Sequence, residues 1–184
     1  MRDEAGRLYR AVAAQARLAD FYAHLGVPDS VDGRFEMLCA HAHALFHRLR
    51  GQGAAAEQLA QALYDAMFVD LDGALRELGA ADLGVGRRIK VMTEALKGRI
   101  DVYDRALESI ETAGEEPLRA AVARNVYGTV TPQPGQVAAM ATYLRSLRAN
   151  LAKADLAELI AGEVRFPPPP RVTPVQEEKP DAAR

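Results

Sequence analysis

The sequence predicts an all-α fold, a single-domain helical bundle of about six helices followed by a disordered Pro-rich C-terminal tail. Three observations carry this. Alanine is abundant and β-branched residues are sparse, which favours helix because alanine loses no side-chain entropy there. Apolar residues recur at helical spacing along several long stretches. Gly, Pro and Ser/Thr punctuate those stretches where helices stop and start, and no segment reads convincingly as a strand.

The first helix is predicted over Ala5 to Tyr22, ended by Gly26-Val-Pro28. Ser30 is the expected N-cap of the second, its hydroxyl accepting from an orphan N–H of the first turn. That helix runs to about Arg50, with Arg48 and Arg50 suited to the negative end of its dipole. The third runs from about Ala55 to Leu78, with Leu63, Met67, Leu71, Ala74 and Leu78 as its core stripe and Gly79 as its stop. After a linker, Ala80 to Gly86, the fourth runs from about Val85 to Ile110. Its stripe is Ile89, Met92, Leu96, Ile100, Tyr103, Leu107 and Ile110. Pro117 opens a short fifth helix ending near Tyr127. Thr131 caps a sixth that runs to about Leu151, and Asp155 to Ala161 adds a last turn or two. Residues 1–166 form the expected helical domain. Residues 167–184, four prolines and then a charged run, cannot build a core and are expected to be extended or disordered.

Composition narrows the function. With 184 residues, 49% hydrophobic and 26% charged, the chain can bury a core without staples. Twenty-three Lys and Arg against 25 Asp and Glu give a net charge of -2. That argues against a nucleic-acid coat over the whole surface, so no DNA partner is expected and only a local basic patch remains. Cys39 is the single cysteine, which excludes an internal disulfide and a Cys-based metal cluster. It sits in an apolar run and reads as a buried, inert thiol. Met-Arg-Asp-Glu resembles neither a signal nor a transit peptide. No apolar run approaches the ~20 residues of a membrane span. The expected location is cytoplasmic, in a bacterium if Met1 is the natural start.

Each candidate for chemistry has a structural counterpart. His43 and His47 are i,i+4, a spacing that can hold a metal on one face. A hydrolytic zinc motif would need Glu where Ala44 stands, and no Glu-x-x-His is present. The alternative is a solvated pair, with a semi-buried His41 bonded to a carboxylate or carbonyl. Asp65, Asp70 and Asp72 crowd the third helix, but helical geometry turns Asp70 away from the other two, and Asp72 is poised for an i,i+4 pair with Arg76. No phosphate loop, nucleophile elbow or catalytic Cys/His frame appears. No catalytic residue, metal or cofactor is therefore expected. Arg87, Arg88, Lys90, Lys97 and Arg99 face one acid, Glu94, over residues 87–99. That stretch is either a solvated face or a contact for phosphate or an acidic partner.

Three stretches together resemble a known family. The first is FYAHLGVPDSVDGRFEMLCAH, ending at His41, with Arg48-Leu-Arg50 after it. The second is LYDAMFVDLDGALRELG, residues 63–79, then Asp82-Leu-Gly-Val, Ile89-Lys90-x-Met92 and Gly98-Arg99. The third is Tyr143-Leu-Arg145 with LIAGEVRF, residues 159–166. The chain is similar to bacterial members of the ubiquinol–cytochrome c reductase assembly-chaperone family. The resemblance spans nearly everything before the proline tail, and the second stretch is its most specific part. It implies an all-helical, non-catalytic assembly factor that binds newly made cytochrome b, or another nascent membrane subunit, during biogenesis of the respiratory cytochrome bc complex. It implies a ribosome contact by analogy with mitochondrial relatives, and membrane proximity only through the client. By the same resemblance Met67, Phe68, Asp70, Asp72, Arg76, Glu77, Gly79, Asp82, Leu83, Lys90 and Met92 match the central motif, and His41 an earlier one. The chain departs from the pattern at Leu96-Lys97, where the family often carries an aromatic. It also lacks the long N-terminal extension of mitochondrial members.

Beside the resemblance stands a physical reading. A nascent membrane protein exposes apolar helices, which a groove lined by adaptable Met and Phe can hold. Met67, Phe68, Val69 and Met92 are expected to border such a groove, with Arg87, Arg88 and Lys90 on its rim. Asp70, Asp72, Arg76, Asp82 and Leu83 complete the expected partner-binding set. Two other readings stay open: a ribosome- or RNA-associated module using residues 87–99, and a small metal-dependent enzyme if His43 and His47 meet carboxylates of another helix.

Overall fold

The computed structural model describes residues 1–77 and 82–170, without the side chains of Asp82, Leu83 and Pro134. Gly79 and most of the predicted tail, residues 171–184, lie outside the described residues. The described residues form α1 Arg2–Ala16, α2 Ala19–Ala23, α3 Val31–Leu49, α4 Ala54–Glu77, α5 Asp82–Glu108, α6 Ile110–Ala113, α7 Glu116–Asn125, α8 Pro134–Ala152 and α9 Leu156–Ile160. The all-α bundle is as predicted.

α3 is the axis of the bundle. It packs against α1, α4, α5 and α8, while α7 closes the far side against α5 and α8. With helices on every side, α3 is buried without interruption from Phe35 to Leu45. Such a helix must be apolar, small or internally hydrogen-bonded all round. Glu36, His41 and His43 are its buried polar groups, and Ala40, Ala42 and Ala44 let neighbours approach its backbone. Each large core side chain, such as Leu45 or Leu63, contributes about 1.5–3 kcal/mol by leaving water. Truncating Leu45 to Ala would cost about 2–5 kcal/mol.

The start of α3 is fixed by the predicted cap, since Gly33 N–H donates to Ser30 Oγ at 3.1 Å. Residue 33 must be glycine, because a Cβ there would lie 2.0 Å from the Pro28 carbonyl oxygen. Asp155 caps α9 in the same manner, accepting from Ala157 N–H at 2.8 Å.

Four predicted boundaries shift. The first helix is two, because the backbone extends at Leu18, and Tyr22 OH donates back to the Ala16 carbonyl at 2.8 Å. Much of the predicted 80–86 linker is helical, since α5 begins at Asp82, and its far end breaks at Ser109 into α6. α8 starts after Gln133 and not after Thr131. A Thr131 cap would require helical backbone at Gln133, which the following Pro134 disfavours. Gln133 is instead extended, and its N–H donates to Gln136 Oε1 at 3.0 Å. The first residues beyond the predicted domain, Pro167–Pro170, are irregular, and three of the four are half-buried. Gln15 Nε2 donates to the Pro167 carbonyl at 2.9 Å, which ties this segment to α1.

Candidate functional site

Two clefts open where the first turns of α3 meet α5. One, of about 180 Å³, lies among α1, α3, α4 and α5 and is lined mainly by apolar groups, among them Ala13, Ala16, Leu38, Leu71 and Ala74. Its polar wall carries Tyr9, whose OH donates to Asp70 at 2.5 Å, together with Arg17 and Arg34. Burial and the Asp70 charge push the Tyr9 phenol up, so it stays a donor. Arg34 is held by Asp29 at 2.7 Å. Among the described residues Arg17 makes no ion pair. The second cleft, of about 330 Å³, runs between α5 and the end of α7, with Arg88 and Arg124 in its wall. Phe35 and Met92 line both clefts, so the two meet there.

Beneath the second cleft Arg99 grips Glu36 with two hydrogen bonds, of 3.0 and 2.6 Å. Burial pushes the Glu36 carboxyl up and Arg99 pulls it down. Arg99, counted in the basic stretch, is thus committed to an internal ion pair. Arg87, Arg88, Lys90 and Lys97 are exposed, and Arg88 stands 3.8 Å from Asp32.

The predicted groove residues do not share one cleft. Met67 is in the core, and Met92 is buried at the junction of the clefts. Phe68 is half-buried and stacks on Tyr64, ring centroids 4.7 Å apart. Val69 is 74% exposed. Asp70 reaches the first cleft, whereas Asp72 pairs with Arg76 at 2.6 Å on the outer surface and Asp65 accepts from Gln61 at 2.8 Å. The three carboxylates therefore have separate partners, as the structural reading expected. The side chains of Asp82 and Leu83 are outside the described residues. Sequence reasoning missed Tyr9, Arg17, Arg34 and Phe35. An aromatic beside the Ser30 cap was the available signal for Phe35; the others depend on how α1 crosses α3.

The histidines depart from expectation. His41 is fully buried, not semi-buried, because α3 is enclosed on all sides. Its Nδ1 lies 2.7 Å from the Met37 carbonyl, which only accepts, so Nδ1 carries the proton and Nε2 accepts from Tyr143 OH at 2.7 Å. Gln15 Nε2 then donates to Tyr143 Oη at 3.0 Å, and the rings of Phe21 and Phe166 meet His41 edge-on. Burial holds the imidazole neutral, its pKa down at about 4.

His43 and His47 are not a solvated pair. Both donate to Asp104 Oδ1, at 2.8 and 3.1 Å, and Arg50 donates to Oδ2 at 2.8 Å. The signal was present: Asp104 falls on the apolar stripe of α5 between Tyr103 and Leu107. His43 and Arg50 hold the Asp104 carboxyl far below the usual range. The carboxylate geometry asked of a metal site is therefore met in part, since ligand atoms of His47, Asp104 and Glu108 lie within 4.8 Å of one another. Yet Arg50 already occupies Asp104, and Arg148 stands 3.9 Å from it. A divalent cation would face two like charges at contact distance, so the group reads as an ion-pair hub.

Among the described residues no helix is long and apolar enough to cross a membrane. No curated protein gives a significant match to the sequence. A solved structure, the Cbp3 homolog from Brucella abortus, is similar, with 34% identity and a TM-score of 0.77 over 89% of this chain and 88% of that one. The sequence profile described as ubiquinol-cytochrome C chaperone matches residues 23–166, from the end of α2 through Phe166, and so covers both clefts, the His41 cluster and the Asp104 hub except where α1 contributes. The chain belongs to the ubiquinol–cytochrome C chaperone family.

Proposed function

We propose that this chain is a non-catalytic assembly factor of the respiratory cytochrome bc complex, which holds newly made cytochrome b, or another nascent membrane subunit, until it is incorporated. The observation that carries the reading is the pair of clefts meeting at Phe35 and Met92, apolar in the middle and with arginines and carboxylates at both ends. An apolar helical segment fits a groove of this kind, and methionine at its centre adapts to varied side chains. Met92, Asp70 and Arg88 are the residues of the predicted set that belong to this surface. Met67 supports it from the core. Phe68, Val69, Asp72, Arg76, Asp82, Leu83, Arg87 and Lys90 would act as peripheral contacts. The client brings the chain to the membrane.

The exposed Arg87, Lys90 and Lys97 on α5 favour a second contact, with the ribosome or another phosphate-rich surface. Charge reversal at Arg87 and Lys90 would weaken that contact in a salt-dependent manner.

Deletion of the gene, followed by spectroscopy of membrane-bound b- and c-type haems, tests the reading. Loss of the cytochrome bc complex with other respiratory complexes intact is the expected result. Normal bc levels would refute it.

A further inference from the structure

At the opposite end of α3 a third cleft, of about 380 Å³, opens beside the Asp104 hub. It is lined by Ala44, His47, Arg48, Gln52, Arg148 and Ala152. Among the described residues no carboxylate lines it. Its polar groups are two guanidiniums, an amide and an imidazole, which is the donor set for an oxyanion. The twelve-position step from Phe35 to His47 on α3 puts it ~18 Å from the centre of the proposed client groove.

The local hydrogen bonding is incomplete on the donor side. Arg48 Nη2 donates to the Ala154 carbonyl at 2.9 Å, but its Nε is buried without a partner. Arg148 Nη1 is likewise buried without a hydrogen bond. It lies 3.9 Å from Asp104 Oδ1, whose lone pairs are taken by His43 and His47, and Arg148 Nη2 lies 3.8 Å from Glu108. Buried donors of this kind are costly to leave unmade. Arg48, Arg50 and Arg148 outnumber Asp104 and Glu108, so the region carries net positive charge before either histidine is protonated.

We infer that the cleft bounded by His47, Arg48, Gln52 and Arg148 binds a phosphate-type oxyanion, either a free phosphate or the phosphate of a lipid headgroup. Arg148 supplies the principal charge, Gln52 Nε2 closes the mouth, and Arg48 stays anchored on the Ala154 carbonyl, just beyond α8, while presenting the rest of its fork. His47 donates through Nδ1 to Asp104, so its Nε2 faces the ligand as an acceptor when neutral and a donor when protonated. Burial and the Arg148 charge keep His47 below its ordinary pKa in the empty cleft. An anion opposes both effects. For an oxyanion whose own charge does not change, binding is therefore tighter at about pH 5.5 than at about pH 7.5. The charged and titratable groups facing His47 are His43, Asp104, Glu108 and Arg148, with Arg48 and Arg50 on its own side.

The experiment titrates the full chain with inorganic phosphate and with sulfate at both pH values, following backbone and imidazole NMR signals, and in parallel measures flotation with vesicles containing phosphatidic acid. The expected result is saturable shifts at His47 and Gln52 with phosphate, and stronger shifts at the lower pH with sulfate, whose charge stays constant over this range. Q52E, which places a carboxylate at the exposed mouth without touching the hub, should weaken binding by about tenfold or more, and R148Q should abolish it. A circular-dichroism melt separates loss of the site from loss of the fold in R148Q. Binding of vesicles with Q52E sensitivity but no response to free phosphate would assign the oxyanion to lipid. Absence of response to both, or a response to phosphate that chloride reproduces and Q52E leaves unchanged, overturns the inference.

Discussion

The two halves of α3 are built from the same helix and serve opposite ends. From His41 to His47 each imidazole is tied to an internal partner, and the proposed oxyanion cleft opens only at the far end of the helix. His41 is sealed between Met37 and Tyr143, and His43 and His47 meet on Asp104 with Arg50 beside them. Around Phe35 the same helix leaves side chains at the wall of two open clefts. The closed half spends its hydrogen bonds on one arrangement of α3, α5 and α8. The open half leaves apolar surface uncovered, which is the kind of surface a protein or ligand partner covers. The hub thus fixes the elements that border the proposed docking surface.

Breaking the closed half should produce the largest effect. D104A removes the only carboxylate that both imidazoles and Arg50 share, leaving buried polar groups without an acceptor. Urea unfolding should register a loss of about 3–5 kcal/mol. A change within about 0.5 kcal/mol would mean the hub is ornamental.

Acid should act on the same half through His41. Its folded pKa, about 4, lies below the ordinary 6.5, so the unfolded chain binds more protons between those values. The stability contributed by neutral His41 is complete above about pH 6.5 and is lost as pH falls toward about 4, a loss of up to about 3 kcal/mol. The depressed Asp104 carboxyl adds to the acid loss only at lower pH, below the ordinary carboxylate range. In H41F the stability of the protein should be lower throughout, and its slope across the upper window should flatten. An unchanged slope would assign the acid sensitivity elsewhere.

The open half should respond in function and hardly in stability. Ala74 is exposed on α4 and lines the first cleft. A74W fills that space, so capture of newly made cytochrome b should weaken by about tenfold, equivalent to about 1.4 kcal/mol, while the melt stays close to that of the unaltered chain. The smallest effect is expected at Val69, which lines neither cleft. V69S should leave both capture and stability within about 0.5 kcal/mol of the starting values.

The helices were legible because their signals are local. The Leu63–Met67 and Met92–Leu96–Tyr103 spacings, the Ser30 and Asp155 caps and the glycine stops each act within a few residues. The breaks were not. Leu18 carries no composition signal, and its extended backbone is set by how Phe21 enters the core. The site was legible only where one side chain points into the core from a patterned helix, as at Met92. Val69 is exposed and lines neither cleft, because an apolar residue off the stripe is as often solvent-facing as partner-facing. Tyr9 and Asp70 are 61 positions apart, and so are His43 and Asp104. No periodicity within one helix reports such pairs, which exist only once α1 crosses α4 and α5 crosses α3.

The central claim, that the α1/α3/α4/α5 cleft holds the client, is tested most directly by photo-crosslinking. A crosslinking amino acid is placed at Ala74 in one variant and at Val69 in another, and each is expressed while cytochrome b is being made. Adducts to cytochrome b from position 74, and few from position 69, are the expected result. Equal yields from both positions, or adducts from 69 alone, would contradict the account.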